Sequence, residues 1–125
     1  MKKIMMVDDD VDQIFSIKTA LKDSYGDEYE LIPAKNGEEC FELLNNNEKP
    51  DLIFLDIMMP EMNGWEVFYK LKDNSLWKDI PIIFLTARTD EIAERAGAFL
   101  GEDYIEKPVS VEELKNRIDK ILKKR

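Results

Sequence analysis

The chain has 125 residues, 44% of them hydrophobic and 36% charged, which fits one compact domain whose folding hides roughly two-thirds of the unfolded surface. Its 27 acidic side chains outnumber the 18 basic ones, and the net charge of −9 argues against sequence-independent binding to nucleic-acid phosphates or anionic lipid. With one cysteine, Cys40, and no histidine, it can form no intrachain disulfide, no cysteine-rich zinc site and no phosphohistidine, and it lacks the commonest general base. No apolar run nears the roughly 18 residues of a membrane span. Only four apolar residues, Ile4 to Val7, follow Lys2 and Lys3, too few for a secretory signal, so we expect an unexported, cytoplasmic protein.

Continuous apolar runs alternate with segments of helical spacing. The first run, Ile4 to Val7, predicts a strand covered on both faces. Ile14, Ile17, Lys18 and Leu21 then mark a helical stripe in which Lys18 buries only its stem. Leu31 and Ile32 form the second run, followed by a helix on Cys40, Phe41, Leu43 and Leu44. Leu52 to Leu55 precede a helix on Trp65, Phe68 and Leu71, and Ile80 to Leu85 precede a weaker fourth on Ile92, Ala93 and Ala96. Tyr104 and Ile105 precede a clear last helix on Val111, Leu114, Ile118 and Ile121. Asn36, Asn63 and Ser110 each stand three residues before a glutamate, the spacing of helix-capping pairs. Pro33, Pro50, Pro60, Pro81 and Pro108 fall at segment edges. Strand and helix repeated five times predict an α/β fold, a doubly wound five-stranded parallel sheet with helices on both faces and right-handed crossovers. We expect a single domain over residues 1–125.

In open parallel sheets, ligands bind beyond the carboxyl ends of the strands. Asp8, Asp9 and Asp10 follow the first run, Asp56 follows the third, Thr86 ends the fourth, and Lys107 comes just after the fifth. Carboxylates about 5 Å apart repel by roughly 3 kcal/mol at an effective dielectric near 20. With Asp8, Asp9 and Asp56 together, either one takes a proton or a cation binds. An all-oxygen donor set selects a hard cation such as Mg²⁺. A metal, an ammonium and a hydroxyl around a carboxylate are the parts that stabilise a transferring phosphoryl group, with the carboxylate as nucleophile. An Asp run at a helix start is by itself ordinary capping and dipole chemistry. Asp56 is harder to explain so, because it lies between Leu52 to Leu55 and Ile57-Met58-Met59.

Val7-Asp8-Asp9, Leu55-Asp56-Ile57-Met58-Met59-Pro60, Asn63-Gly64, Leu85-Thr86-Ala87 and Lys107-Pro108 together resemble the receiver domain of two-component response regulators, of the stand-alone, chemotaxis-regulator type. The resemblance covers essentially the whole chain and implies the (βα)5 flavodoxin-like receiver fold and a phospho-accepting switch rather than an enzyme. It implies Asp56 as phospho-acceptor, Asp8, Asp9 and Asp56 with the main-chain carbonyl of Met58 as Mg²⁺ ligands (Mn²⁺ being the alternative ion), and Thr86 and Lys107 as phosphoryl-binding groups. It further implies Thr86 and Tyr104 as the switch pair and a cis Lys107–Pro108 bond. From the residue alone, Tyr104 is equally a core or edge aromatic.

The implied partners are a histidine kinase or phosphotransfer protein and a downstream protein, met through the face of the fourth helix, fifth strand and fifth helix. Direct nucleic-acid or membrane contact is not expected, and dimerisation on phosphorylation stays open. No residues follow Arg125 to make an output domain, so the expected output is protein contact. Met58 and Arg88 occupy positions that tune phosphoryl loss in the family, and the bulky Met58 should hinder the attacking water. In Gly101-Glu102-Asp103-Tyr104 one residue fewer precedes the tyrosine than is usual.

A different class competes. Asp8-x-Asp10-x-Asp12 also resembles the motif of haloacid dehalogenase-type phosphohydrolases, with Asp8 as nucleophile and Asp10 as general acid. There Asp12 stands where Thr or Val is usual, no second acidic pair follows Lys107, and Asp56 goes unexplained. A calcium loop fails outright, since Gln13 holds the glycine position and Thr19 the final glutamate position.

Overall fold

The computed structural model describes residues 1–86 and 103–123. The expected fourth helix, Arg88 and the Gly101-Glu102 segment lie outside them, as does the Thr86 side chain. The described elements are β1 (Lys2–Val7), α1 (Val11–Tyr25), one 3₁₀ turn (Gly26–Glu28), β2 (Tyr29–Ala34), α2 (Gly37–Asn45), β3 (Leu52–Asp56), α3 (Gly64–Lys72), β4 (Ile82–Thr86), β5 (Asp103–Glu106) and α4 (Val111–Leu122), the last being the fifth helix expected from sequence. The strands form one sheet in the order β2-β1-β3-β4-β5, parallel throughout.

The unbroken apolar runs are explained by two cores, one on each face of the sheet. Strand side chains alternate between faces. Met5, Val7, Ile53, Leu55, Ile82 and Phe84 meet Cys40 and Leu44 of α2 and Val67, Phe68 and Leu71 of α3 on one face. Ile4, Met6, Leu52, Phe54, Ile83 and Leu85 meet Ile14, Ile17 and Leu21 of α1 and Leu114 and Ile118 of α4 on the other. Burial pushes the Cys40 thiol up to about 12, so that it behaves as a small apolar side chain.

Side-chain caps start the helices where the sequence places them. Asn36, Asn63 and Ser110 accept from the N–H groups of Glu39, Glu66 and Glu113 at 2.8, 3.1 and 3.1 Å, and Asp10 accepts from Gln13 at 3.1 Å.

Two local expectations need correction. Ile80 is buried but precedes β4, which begins at Ile82. Pro33 lies inside β2 rather than at a segment edge, aligned with Met6. It is tolerated because β2 is an edge strand. The Ala34 carbonyl accepts from Asp8 N–H at 3.0 Å, so the alternation of backbone groups turns the Pro33 nitrogen, which has no hydrogen, to the open side.

Candidate functional site

Parallel strands carry their following loops to one edge, and the predicted site residues meet there. Asp8 follows β1 and is fully buried, and Asp56 ends β3 with 3% exposure. Asp9 is exposed. One carboxylate oxygen from each of the three lies within 4.8 Å of the others. Lys107, just past β5, reaches into this group, its Nζ lying 2.7 Å from Asp8 Oδ2 and 3.5 Å from Asp56 Oδ2. The backbone supplies two further donors: Asp10 N–H to Asp8 Oδ1 at 2.9 Å and Met58 N–H to Asp56 Oδ1 at 3.3 Å. Asp10 itself caps α1, its side chain accepting from Gln13 N–H. The Lys107–Pro108 peptide bond is cis.

Burial and the neighbouring Asp8 charge outweigh Lys107 and the Met58 N–H and lift the Asp56 carboxyl from 3.8 to about 7. Burial pulls the Lys107 ammonium down, but Asp8 and Asp56 more than offset it and hold it above its ordinary range. Among the described residues, one lysine against three carboxylates leaves a local excess of negative charge. The donor set is all oxygen, with one exposed ligand that leaves room for water, and this fits a hard divalent cation of the Mg²⁺ type. Met58, whose amide donates to Asp56, is 58% exposed.

Of the switch pair, Thr86 ends β4 aligned with Glu106, and its side chain is outside the described structure. Tyr104 is half-buried, packs against the core on the α2–α3 face and is aligned with Phe84.

Gly64 was legible only as part of a motif, and its structural role is more specific. A Cβ there would stand 2.4 Å from the Asp56 carbonyl oxygen and 2.8 Å from Ile57 Cα. Its N–H donates to the Ile57 carbonyl at 2.9 Å. The first turn of α3 is thus laid directly on the backbone of the Asp56 segment. A glycine at the first helical position, where it favours helix poorly, is the signal that could have revealed this close approach.

Acids after the first and third strands, a lysine after the fifth and an all-parallel five-stranded sheet converge with the outcome of sequence comparison. The profile of the response regulator receiver domain matches residues 4–119, and the chain belongs to that family. Over 124 residues it is 38% identical to the alkaline phosphatase synthesis transcriptional regulatory protein PhoP of Bacillus subtilis, covering 98% of this chain and 49% of that protein. It is 40% identical over 124 residues to the probable transcriptional regulator ycf27 of Cyanophora paradoxa, again covering 98% and 49%. The chain therefore spans about half the length of these relatives.

Among solved structures, the fold matches the chemotaxis protein CheY4 of Vibrio cholerae with a TM-score of 0.80 at 28% identity, over 96% of this chain and 98% of that one. It matches the N-terminal domain of a response regulator receiver protein from Methanoculleus marisnigri with a TM-score of 0.73 at 38% identity, over 100% and 99%. These likenesses support a phospho-accepting response regulator with the flavodoxin-like receiver fold. They lend nothing to the haloacid dehalogenase alternative, and Asp10, engaged as a helix cap, is poorly placed for its general acid.

Proposed function

We propose that Asp56 accepts the phosphoryl group, from the phosphohistidine of a kinase or phosphotransfer protein or from a small phosphodonor. The observation that carries this reading is a nearly buried carboxylate held between a buried aspartate and a lysine at the carboxyl edge of the sheet. Asp8, Asp9, Asp56 and the Met58 carbonyl would hold the divalent ion, which would supply charge neutralisation when bound. Lys107, anchored on Asp8, stands ready to pair with a phosphoryl oxygen. An Asp56 carboxylate oxygen attacks phosphorus, the P–N bond to the donor imidazole breaks, and the electron pair leaves with that imidazole. The product is an acyl phosphate, which replaces one negative charge by a group nearer two.

In this reading Thr86 turns toward the phosphoryl group and Tyr104 turns inward. The face of the fourth expected helix, β5 and α4 then changes its affinity for a downstream protein. Met58 shields the acyl phosphate from water, so Met58→Asn shortens its lifetime, and a longer-lived variant would refute that role. Among the described residues no helix is long and apolar enough to cross a membrane. A cytoplasmic setting suits a partner that carries phosphohistidine.

Intact-mass analysis after incubation with acetyl phosphate and Mg²⁺ tests the assignment. Wild type gains one phosphoryl group, and Asp56→Asn gains none. Continuous turnover that stops with Asp8→Asn while Asp56→Asn remains active would overturn it in favour of a hydrolase.

A further inference from the structure

Tyr104 is aligned with Phe84 across β4 and β5, and both side chains belong to the α2–α3 face of the sheet. Phe84 is fully buried, and two rings clasp it: Trp65 and Phe68 each lie 5.3 Å away, tilted by 42°. Phe68 is itself closed in, with 4% exposure and Tyr69 edge-on at 5.7 Å. Trp65 is half-buried, and it directly follows Gly64, whose backbone rests on the Asp56 carbonyl. Trp65 therefore belongs at once to the phospho-acceptor loop and to the aromatic packing beside Tyr104.

Protein interiors are close-packed and shift between discrete arrangements rather than deforming smoothly. In the receiver reading the inward turn of Tyr104 takes place beside Phe84, its aligned neighbour on the same face. Phe84 is fully buried and Phe68 is 4% exposed. Of the two rings packed on Phe84 among the described residues, Trp65 is the one that borders solvent.

We propose that Trp65 is a positioning residue of the switch. Its indole, braced on Phe84, holds Tyr104 in its half-exposed position, and it yields when Tyr104 turns in. The proposal rests on the receiver reading above and adds to it a route by which the N-terminus of α3 takes part in the transition.

The chain has two tryptophans, and the second, Trp77, stacks on Phe41 at 5.9 Å rather than on Phe84. In full-length Trp77→Phe protein, Trp65 is thus the only indole emitter. With acetyl phosphate and Mg²⁺, its emission should change in step with the phosphoryl gain seen by intact mass. Adding Tyr104→Ala should keep the mass gain and remove the emission change. Titration with beryllofluoride, a phosphoryl mimic, followed by calorimetry should show Trp65→Ala binding about 5-fold tighter, at the low end of coupling between sites. Trp65→Phe should stay near wild type, since a ring is restored.

Unchanged emission in a chain that has gained its phosphoryl group overturns the proposal, as does a change that survives Tyr104→Ala. Weaker or equal binding by a folded Trp65→Ala overturns it too. If Trp65→Ala does not fold, the Trp77→Phe and Tyr104→Ala pair decides alone. A wild-type chain that gains no phosphoryl group overturns the receiver assignment itself, a failure visible by mass alone.

Discussion

The two ends of the sheet carry similar chemical groups in opposite electrostatic states. At the carboxyl end, Asp8, Asp9 and Asp56 share Lys107, and the Asp56 carboxyl rises to about 7. At the amino end, Asp119 of α4 accepts from Tyr29 at 2.9 Å and pairs with Lys115 at 2.6 Å and Lys2 at 3.3 Å. There Lys115, then the Tyr29 hydroxyl and Lys2, hold the Asp119 carboxyl down at about 2 against the opposing effect of burial. Lys115 also reaches Glu28 at 3.4 Å and lies over the rings of Tyr25 and Tyr29. The first cluster has more acid than base and is buried, so it seeks a proton or a cation. The second is balanced and wetter, and it ties β1, β2 and α4 together. Charge balance and burial, rather than residue type, separate a reactive site from a structural tie.

Removing Lys107, the cation that the described residues bring to the site, should have the largest effect. Lys107→Met strands the fully buried Asp8 and should cost about 4 kcal/mol in metal-free urea unfolding at pH 8, part of it restored by Mg²⁺. An undiminished midpoint would show that the Lys107–Asp8 pair does not stabilise the fold. Gly64→Ala should cost about 3 kcal/mol because its Cβ meets the Asp56 carbonyl, and it should weaken Mg²⁺ binding in the same preparation. Loss of stability with unchanged Mg²⁺ affinity would separate α3 packing from the site.

Asp56→Asn acts in the other direction. It removes a buried like charge and should raise metal-free stability by about 2 kcal/mol at pH 8. The wild-type Asp56 carboxyl binds a proton more readily folded than unfolded. Its contribution is therefore most favourable below about 4 and is lost as pH rises through about 7. Thermal scans of metal-free protein between these values should show the decline, and Mg²⁺ should flatten it.

Asp119→Asn at the other end should have the smallest effect. The depressed carboxyl stabilises the fold fully above about 4 and stops doing so as pH falls through about 2. The variant should differ from wild type at pH 6 and converge with it at the acid extreme. A difference larger than that of Lys107→Met would reverse the contrast between the two ends.

Much of this was legible in the sequence. Runs covered on both faces read directly as buried strands, the caps on Asn36, Asn63 and Ser110 read from spacing, and the strand-end rule gathered Asp8, Asp56 and Lys107. Which of three consecutive aspartates turns inward was not legible. That choice follows from the direction in which β1 ends, which buries Asp8 and exposes Asp9. The amino-end tie was half legible, for Lys115 and Asp119 stand four apart on one helix. Their meeting with Tyr29 and Lys2 depends on the alignment of Lys2 with Tyr29 and on α4 crossing them, which no local pattern encodes. Pro33 was misplaced because the edge position of β2 is a property of sheet order, invisible to any single segment.

The outward-facing ring of Pro33 has one more effect. An incoming chain that tried to extend the sheet beyond β2 would find a hydrogen-bond donor missing at that register. The margin is thereby blunted against extension of the sheet, strand by strand, along that border.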